Sequence, residues 1–460
     1  MRKLTFILFA TFVGLALTLP EGWSMGRRPR DGQEEKKTDE KAAAEESAPA
    51  PEPLPLLTLE DCYELALKRS ETVAIQKEEI EEAEAQFFKA TSEALGDIDF
   101  VMTDFRQDAP KPREVDVEGR GGFGGTFNAR HRRERAFVIS QPLFQGFKSI
   151  GALSGAGSFR RQQREEWLRA KELLFLDVAS VFYALLREKK DLENIEGIRL
   201  LLEERITELK QREAIGRSRP SEVVQAEAKW RRSEGEIARV HGVIEATRHL
   251  LEFLTGISME PSQLKEEELP QARTEEIAAY LKDSEIRPDV EATRQAVKTA
   301  RGALIVAQSA LWPEITLENS QYVKREGFQK DFDWDLLIKV NVPLFRGGET
   351  IGKLKEARSQ WKQAKLVYTH TRREAELEIK EAYEKWVASR RQSRALEKAL
   401  RASQENYRLQ KEDYARNLVG NLDVLEALEE LFETSRAANR VHYEMKESYW
   451  RLQVATGEVV

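Results

Sequence analysis

The sequence predicts a mainly helical chain with a small β part: long antiparallel coiled-coil helices in two internal repeats, with four strands per chain. Three observations carry this. Trp334, Leu336, Ile338, Val340 and Val342 alternate with polar Asp335, Lys339 and Asn341, the period of a strand with one apolar face. No proline interrupts the chain from Phe147 to Arg219. There Leu174, Val178, Val181, Leu185, Leu192, Ile195, Leu202, Ile206 and Leu209 fall mostly three or four apart, which is a coiled-coil seam. Finally, Pro142-Leu143-Phe144-Gln145-Gly146 returns as Pro343-Leu344-Phe345-Arg346-Gly347-Gly348 at an offset of 201, which recurs at Gly151 and Gly352, Ala226 and Ala427, and Gly256 and Gly457. A constant offset over that distance marks a repeat.

Taken in order, residues 1–24 read as a signal peptide. Arg2-Lys3 precede an apolar run from Leu4 to Leu19, Pro20 breaks it, and Gly22-Trp23-Ser24 offers small residues for cleavage. The run is short for a membrane span of about 20 residues. No cysteine follows it to carry a lipid. Residues 25–57, rich in Pro, Glu, Lys and Ala, read as a disordered lead-in. The single cysteine, Cys62, excludes an internal disulfide and reads as a buried, inert thiol.

The first repeat spans 58–257. Thr58 and Asp61 open a helix that runs to Leu95, where Gly96 stops it. Strands are expected at about 97–105 and 134–141. The loop between them holds Gly121-Gly122-Phe123-Gly124-Gly125 and the basic group Arg130-His131-Arg132-Arg133. No Gly-Lys-Ser/Thr ending makes those glycines a phosphate cradle. The basic group reads as a solvated loop or, more sharply, as a contact for anionic lipid head groups. From Phe147 to Arg212 the next helix reaches roughly 100 Å. It turns at a tip near 216–220 and returns from Ser221 to Leu254.

The second repeat, 258–460, follows the same scheme: a helix from Thr274 to Leu311 broken by Pro288, strands at about 313–323 and 333–342, and a loop holding Gly327. A long helical hairpin follows, with its tip near 417–421. Pro142, Gly146, Pro343, Gly347 and Gly348 mark the two strand-to-helix passages.

The composition excludes several functions. Charges of both signs are interspersed at a net −7, which implies no nucleic-acid partner. His131, His241, His249, His370 and His442 form no His-Glu-x-x-His spacing, and no nucleophile elbow or Walker loop is present. No catalytic residue, metal site or cofactor is indicated. Four strands are too few to close a filled barrel of about eight. Open sheet edges cannot face lipid. A barrel shared among copies resolves both problems, and two, three or four copies satisfy the geometry.

The two Pro-Leu-Phe passages, the turn segment Gly216 to Ala228, its repeat Tyr414 to Ala427 containing Leu422-Asp423-Val424-Leu425, and the Thr-Gly endings resemble the outer membrane efflux protein family, the TolC-like channels. The resemblance runs from about Leu57 to Gly457. It implies a homotrimer in outer-membrane lipid, with a shared 12-stranded β-barrel above an α-helical periplasmic barrel. The tip would dock a periplasmic adaptor protein of an inner-membrane transporter, and the duct would conduct passively in a tripartite efflux or type I secretion system. By motif position Asp423 and Glu426 fall where the family rings its pore constriction; acids in a first helical turn also cap it and complement its dipole. Gly216, Arg217, Ser218, Arg219, Asn417, Leu418, Val419 and Gly420 form the two turns expected to meet the adaptor. Asn417 stands where the family has glycine, and Val419 where some relatives carry a basic lock. The opposing reading is a secreted periplasmic coiled-coil tether without a channel.

Overall fold

A computed structural model describes residues 56–108, 131–270, 276–326 and 329–457. The expected leader, all but the last two residues of the lead-in, Gly121–Gly125, Arg130 and Gly327 lie outside the described residues.

Helix α1 (Leu59–Arg69) opens on a reciprocal cap. The Thr58 hydroxyl accepts from Asp61 N at 3.2 Å, and the Asp61 carboxylate accepts from Thr58 N at 2.9 Å. The helix does not continue to Leu95 as the periodicity suggests. Ser70 adopts extended backbone and caps a second helix, α2 (Glu71–Leu95), by accepting from Val73 N. The break seats Arg69 against Gly256, where an added Cβ would come within 3.1 Å of the Arg69 side chain. Gly96 ends α2 at φ 83°.

Four strands make one antiparallel sheet in the order β1 (Asp97–Arg106), β2 (His131–Gln145), β3 (Glu314–Arg325), β4 (Trp334–Asn341). The expected 134–141 segment is too short for β2: His131, Arg132 and Arg133 are strand rather than loop. Pro142 lies inside β2 instead of ending it, next to a register shift between Pro142 and Phe144. A bulge accommodates a residue that cannot donate to the ladder.

Register assigns the faces, since direct partners project to the same side. One side carries Phe100 and Met102 of β1, Phe137 and Ile139 of β2, and Leu336, Ile338 and Val340 of β4. The Phe100 and Phe137 rings sit 4.9 Å apart on it. The opposite side carries Asp99, Ser140, Glu318, Ser320 and Lys339. The sheet therefore has one apolar, exposed face and one mainly polar face.

The rest is helical. α3 (Lys148–Ala214) and α4 (Pro220–Thr255) form one hairpin, and α7 (Glu349–Ala415) and α8 (Asn421–Ala455) the other. Between them lie α5 (Ile277–Lys282) and α6 (Pro288–Ser309). α3 is the spine, packing on α4, α6 and α8. Its seam residues Val178, Leu185, Ile195 and Leu209 are fully buried. α3 and α6 touch backbone to backbone: a Cβ on Gly302 would lie 2.6 Å from Gly155 Cα. Buried Arg287 ties α6, α7 and α8. It bonds Asp289 at 3.0 Å and Glu378 at 2.8 Å and donates to the Ala455 carbonyl at 3.3 Å.

The segment after α4 is pinned at Gln263 to Glu266. Leu57 N donates to Gln263 O at 2.8 Å and Lys265 N to Leu57 O at 2.9 Å. Further on, the Glu266 carboxylate accepts from His442 Nε2 at 3.0 Å, from Tyr443 OH at 2.9 Å and from Lys446 Nζ.

Candidate functional site

The two hairpin tips come together at one end of the helical part. Each follows a helix that ends in a left-handed residue, Gly216 at φ 72° and Asn417 at φ 61°, 201 positions apart. Each closes with the same six-residue bond, from Arg217 N to Arg212 O at 2.8 Å and from Leu418 N to Asp413 O at 2.9 Å. Asparagine tolerates the left-handed region because its short amide side chain bonds locally, so the second turn forms without glycine.

The turns then diverge. In the first, Pro220 occupies the opening helical position and the Ser218 hydroxyl donates to Glu222 at 2.6 Å. Arg217 and Arg219 project into solvent. In the second, the Asp423 carboxylate accepts from Gly420 N at 2.8 Å and caps α8. Asp423 and Glu426 both remain exposed, on the side away from buried Val424 and Leu425. Ile215, Val224, Leu418 and Leu422 expose apolar side chains around the two turns, while Val419 packs against the tip core.

Sequence reasoning missed the contacts that hold the tips to each other. Arg205 of α3 is only 4% exposed. It donates to Asn421 Oδ1 from Nε at 3.0 Å and Nη2 at 2.9 Å, and pairs with Glu208 at 2.7 Å. Its guanidinium also stacks 3.7 Å from the centre of the Tyr414 ring. Arg212 stacks on the same ring at 4.2 Å and reaches Asn417 Oδ1 at 3.4 Å. Tyr414 is thus contacted by two arginines of the other hairpin, within a cluster that includes Leu202, Leu209, Val223 and Val424. A stacked cation away from water is worth about 2 kcal/mol or more. One signal was readable beforehand: Arg205 sits three residues after Leu202 and four before Leu209, on the seam itself.

Among the described residues, no group of His, Cys, Asp or Glu is placed to hold a metal ion, and no helix is long and apolar enough to cross a membrane. The Cys62 thiol is buried, which pushes its pKa up to about 12.

Known proteins share this fold. The family model described as outer membrane efflux protein matches residues 284–458. The cation efflux system protein CusC of Escherichia coli K12 is 20% identical over 367 residues, covering 76% of this chain and 79% of that protein. The outer membrane protein TolC of Vibrio cholerae is 21% identical over 330 residues, covering 69% and 75%. The crystal structure of the outer membrane protein VceC of Vibrio cholerae superposes with a TM-score of 0.72 at 20% identity, covering 87% of this chain and 96% of that one.

Proposed function

We propose, starting from the outer membrane efflux protein family that residues 284–458 match, that this chain is one third of an outer-membrane exit duct. The duct conducts substrates passively from an inner-membrane transporter, through a periplasmic adaptor, across periplasm and outer membrane. Its helical part lies in the periplasm and its strands lie in the membrane.

The observation that carries this reading is a set of missing joints. β2 pairs with β3 and α3 packs along α6, and both joints link the first repeat to the second. The repeat maps them onto β4 with β1 and α7 with α2. The chain cannot make these itself. β1 and β4 are the two edges of the sheet, and α7 does not pack on α2 among the described residues. Both helices keep apolar side chains in the open, Leu366 and Val367 on α7 and Ile75 and Phe88 on α2. A neighbouring copy offers the missing partners, and heterologous contacts of this kind close into a ring. With four strands from each chain, three copies give twelve, enough to enclose a channel. The apolar sheet face then meets lipid, and the mainly polar face lines the lumen.

The test is fractionation followed by reconstitution. The chain should sediment with outer membranes, require detergent for release, crosslink as a trimer and conduct ions in a planar bilayer. A water-soluble elongated monomer would remove the duct.

A further inference from the structure

We propose that the strand ends farthest from the helices form a binding site for the phosphate of an anionic lipid head group, on the outer wall of the sheet. This rests on the membrane reading above.

Register places Arg106, His131, Arg133, Arg135 and Lys324 on the apolar face beyond Phe137, with Arg135 and Lys324 level with Met102 and the other three past it. Two carboxylates share that face. Asp104 serves His131 at 2.7 Å, Arg106 at 3.2 Å and Arg133 at 3.8 Å, and Glu326 serves Lys324 at 2.8 Å. Leaving His131 aside, the cations Arg106, Arg133, Arg135 and Lys324 still outnumber Asp104 and Glu326 on this face of the paired strand ends among the described residues. Among the described residues Arg135 has no ion-pair partner, and it lies directly across from Lys324. Like charges opposed across strands are destabilising, and an anion between them removes the repulsion.

The other face at the same level balances itself. Glu134 lies 3.5 Å from both Arg132 and Arg325, and Arg325 lies 3.5 Å from Asp335. Arg325 also stacks 4.0 Å from the Tyr322 ring, and Tyr322 OH donates to Asp335 at 2.8 Å. The surplus is thus confined to the wall that carries Phe100, Met102, Phe137, Trp334 and Leu336. Cations immediately above an apolar band match a lipid, whose phosphate sits one step above its acyl chains.

The experiment uses the detergent-extracted assembly in maltoside micelles doped with either phosphatidylglycerol or phosphatidylcholine, and counts lipid retained after gel filtration. The wild type should retain the anionic lipid preferentially. The R135Q/K324Q variant should lose that preference by roughly fivefold per cation. K339Q removes one charge from the polar face and should leave it intact. Inorganic phosphate in the buffer should not displace the lipid; if it does, the site is one for free phosphate and the proposal fails. Equal retention of both lipids by the wild type, or an unchanged preference in R135Q/K324Q, also overturns it. Because these outcomes are read on an assembly already in micelles, they leave the duct reading standing; a chain that never enters micelles removes both.

Discussion

The Arg205 guanidinium lies 3.7 Å from the centre of the Tyr414 ring, joining the long helix of the first hairpin to the last turn of the corresponding helix in the second. The repeat relates these helices, but the contact is not repeated: Arg205 is matched by Asn406 and Tyr414 by Glu213, each 201 positions away. The tip is therefore where the two halves stop being equivalent.

Replacing Tyr414 with Ala removes both arginine stacks and should free the second tip from the first. The expected result is a larger or more frequently open conductance in planar bilayers. Loosening should amount to about 2 kcal/mol, the worth of a desolvated cation–π pair. Tyr414→Phe keeps the ring and should behave as the wild type. Equal behaviour of the two variants would show that the stack does not restrain the tip.

Asp423 has a capping role that can be separated from its charge. D423N keeps an oxygen to accept from Gly420 N and removes the negative charge. It should lower cation selectivity with little change in melting temperature. D423A should lower both, with about 1 kcal/mol lost from the cap. E426Q should affect selectivity alone. Reversal-potential measurements under a salt gradient, paired with calorimetry, distinguish the cases.

Gly302 and Gly352 make a matched pair of tests. A Cβ at Gly302 would meet Gly155 Cα at 2.6 Å, so G302A should cost about 1–3 kcal/mol of chain stability. At Gly352 nothing lies within 4 Å. G352L should leave the fold of each chain intact and weaken only the association between copies, seen as fewer crosslinked trimers at a fixed concentration.

Glu266 gives the helical part an acid limit. Its carboxylate is held down to about 2, chiefly by the hydrogen bond from His442 and then by Lys446, against the opposing effect of burial. A carboxyl whose folded pKa is depressed stabilises the fold fully above its unfolded value of about 4.3, and that contribution fades as pH falls towards 2. Thermal melting should therefore drop between about pH 4 and pH 2 in the wild type. E266Q should start about 2 kcal/mol lower near neutral pH and show a flatter decline.

The class of the fold, helical with a small antiparallel sheet, was open to sequence reading because alternation and seam spacing are local patterns. The 201-residue spacing of Gly216 and Asn417 is equally plain in the letters, since a left-handed residue after a long helix favours Gly or Asn. The break at Ser70 was not legible. Serine is tolerated inside a helix and also caps one, and the choice here accompanies the packing of Arg69 on Gly256, far away in the sequence. The reach of β2 through Pro142 depends on a bulge against β3, which only pairing shows. The arginines that clasp Tyr414 were hidden for a similar reason: sequence marks Arg205 as a seam position without naming its partner on the second hairpin.

In the three-copy ring proposed above, the pairing of β2 with β3 inside one chain has a bearing on how the ring assembles. Two copies that meet gain a single new junction and leave a raw rim on either side. The third gains two at once, so its arrival is worth roughly twice the first encounter. Pairs should accordingly be scarce at equilibrium, and pores should form whole, with few incomplete cylinders left in the bilayer.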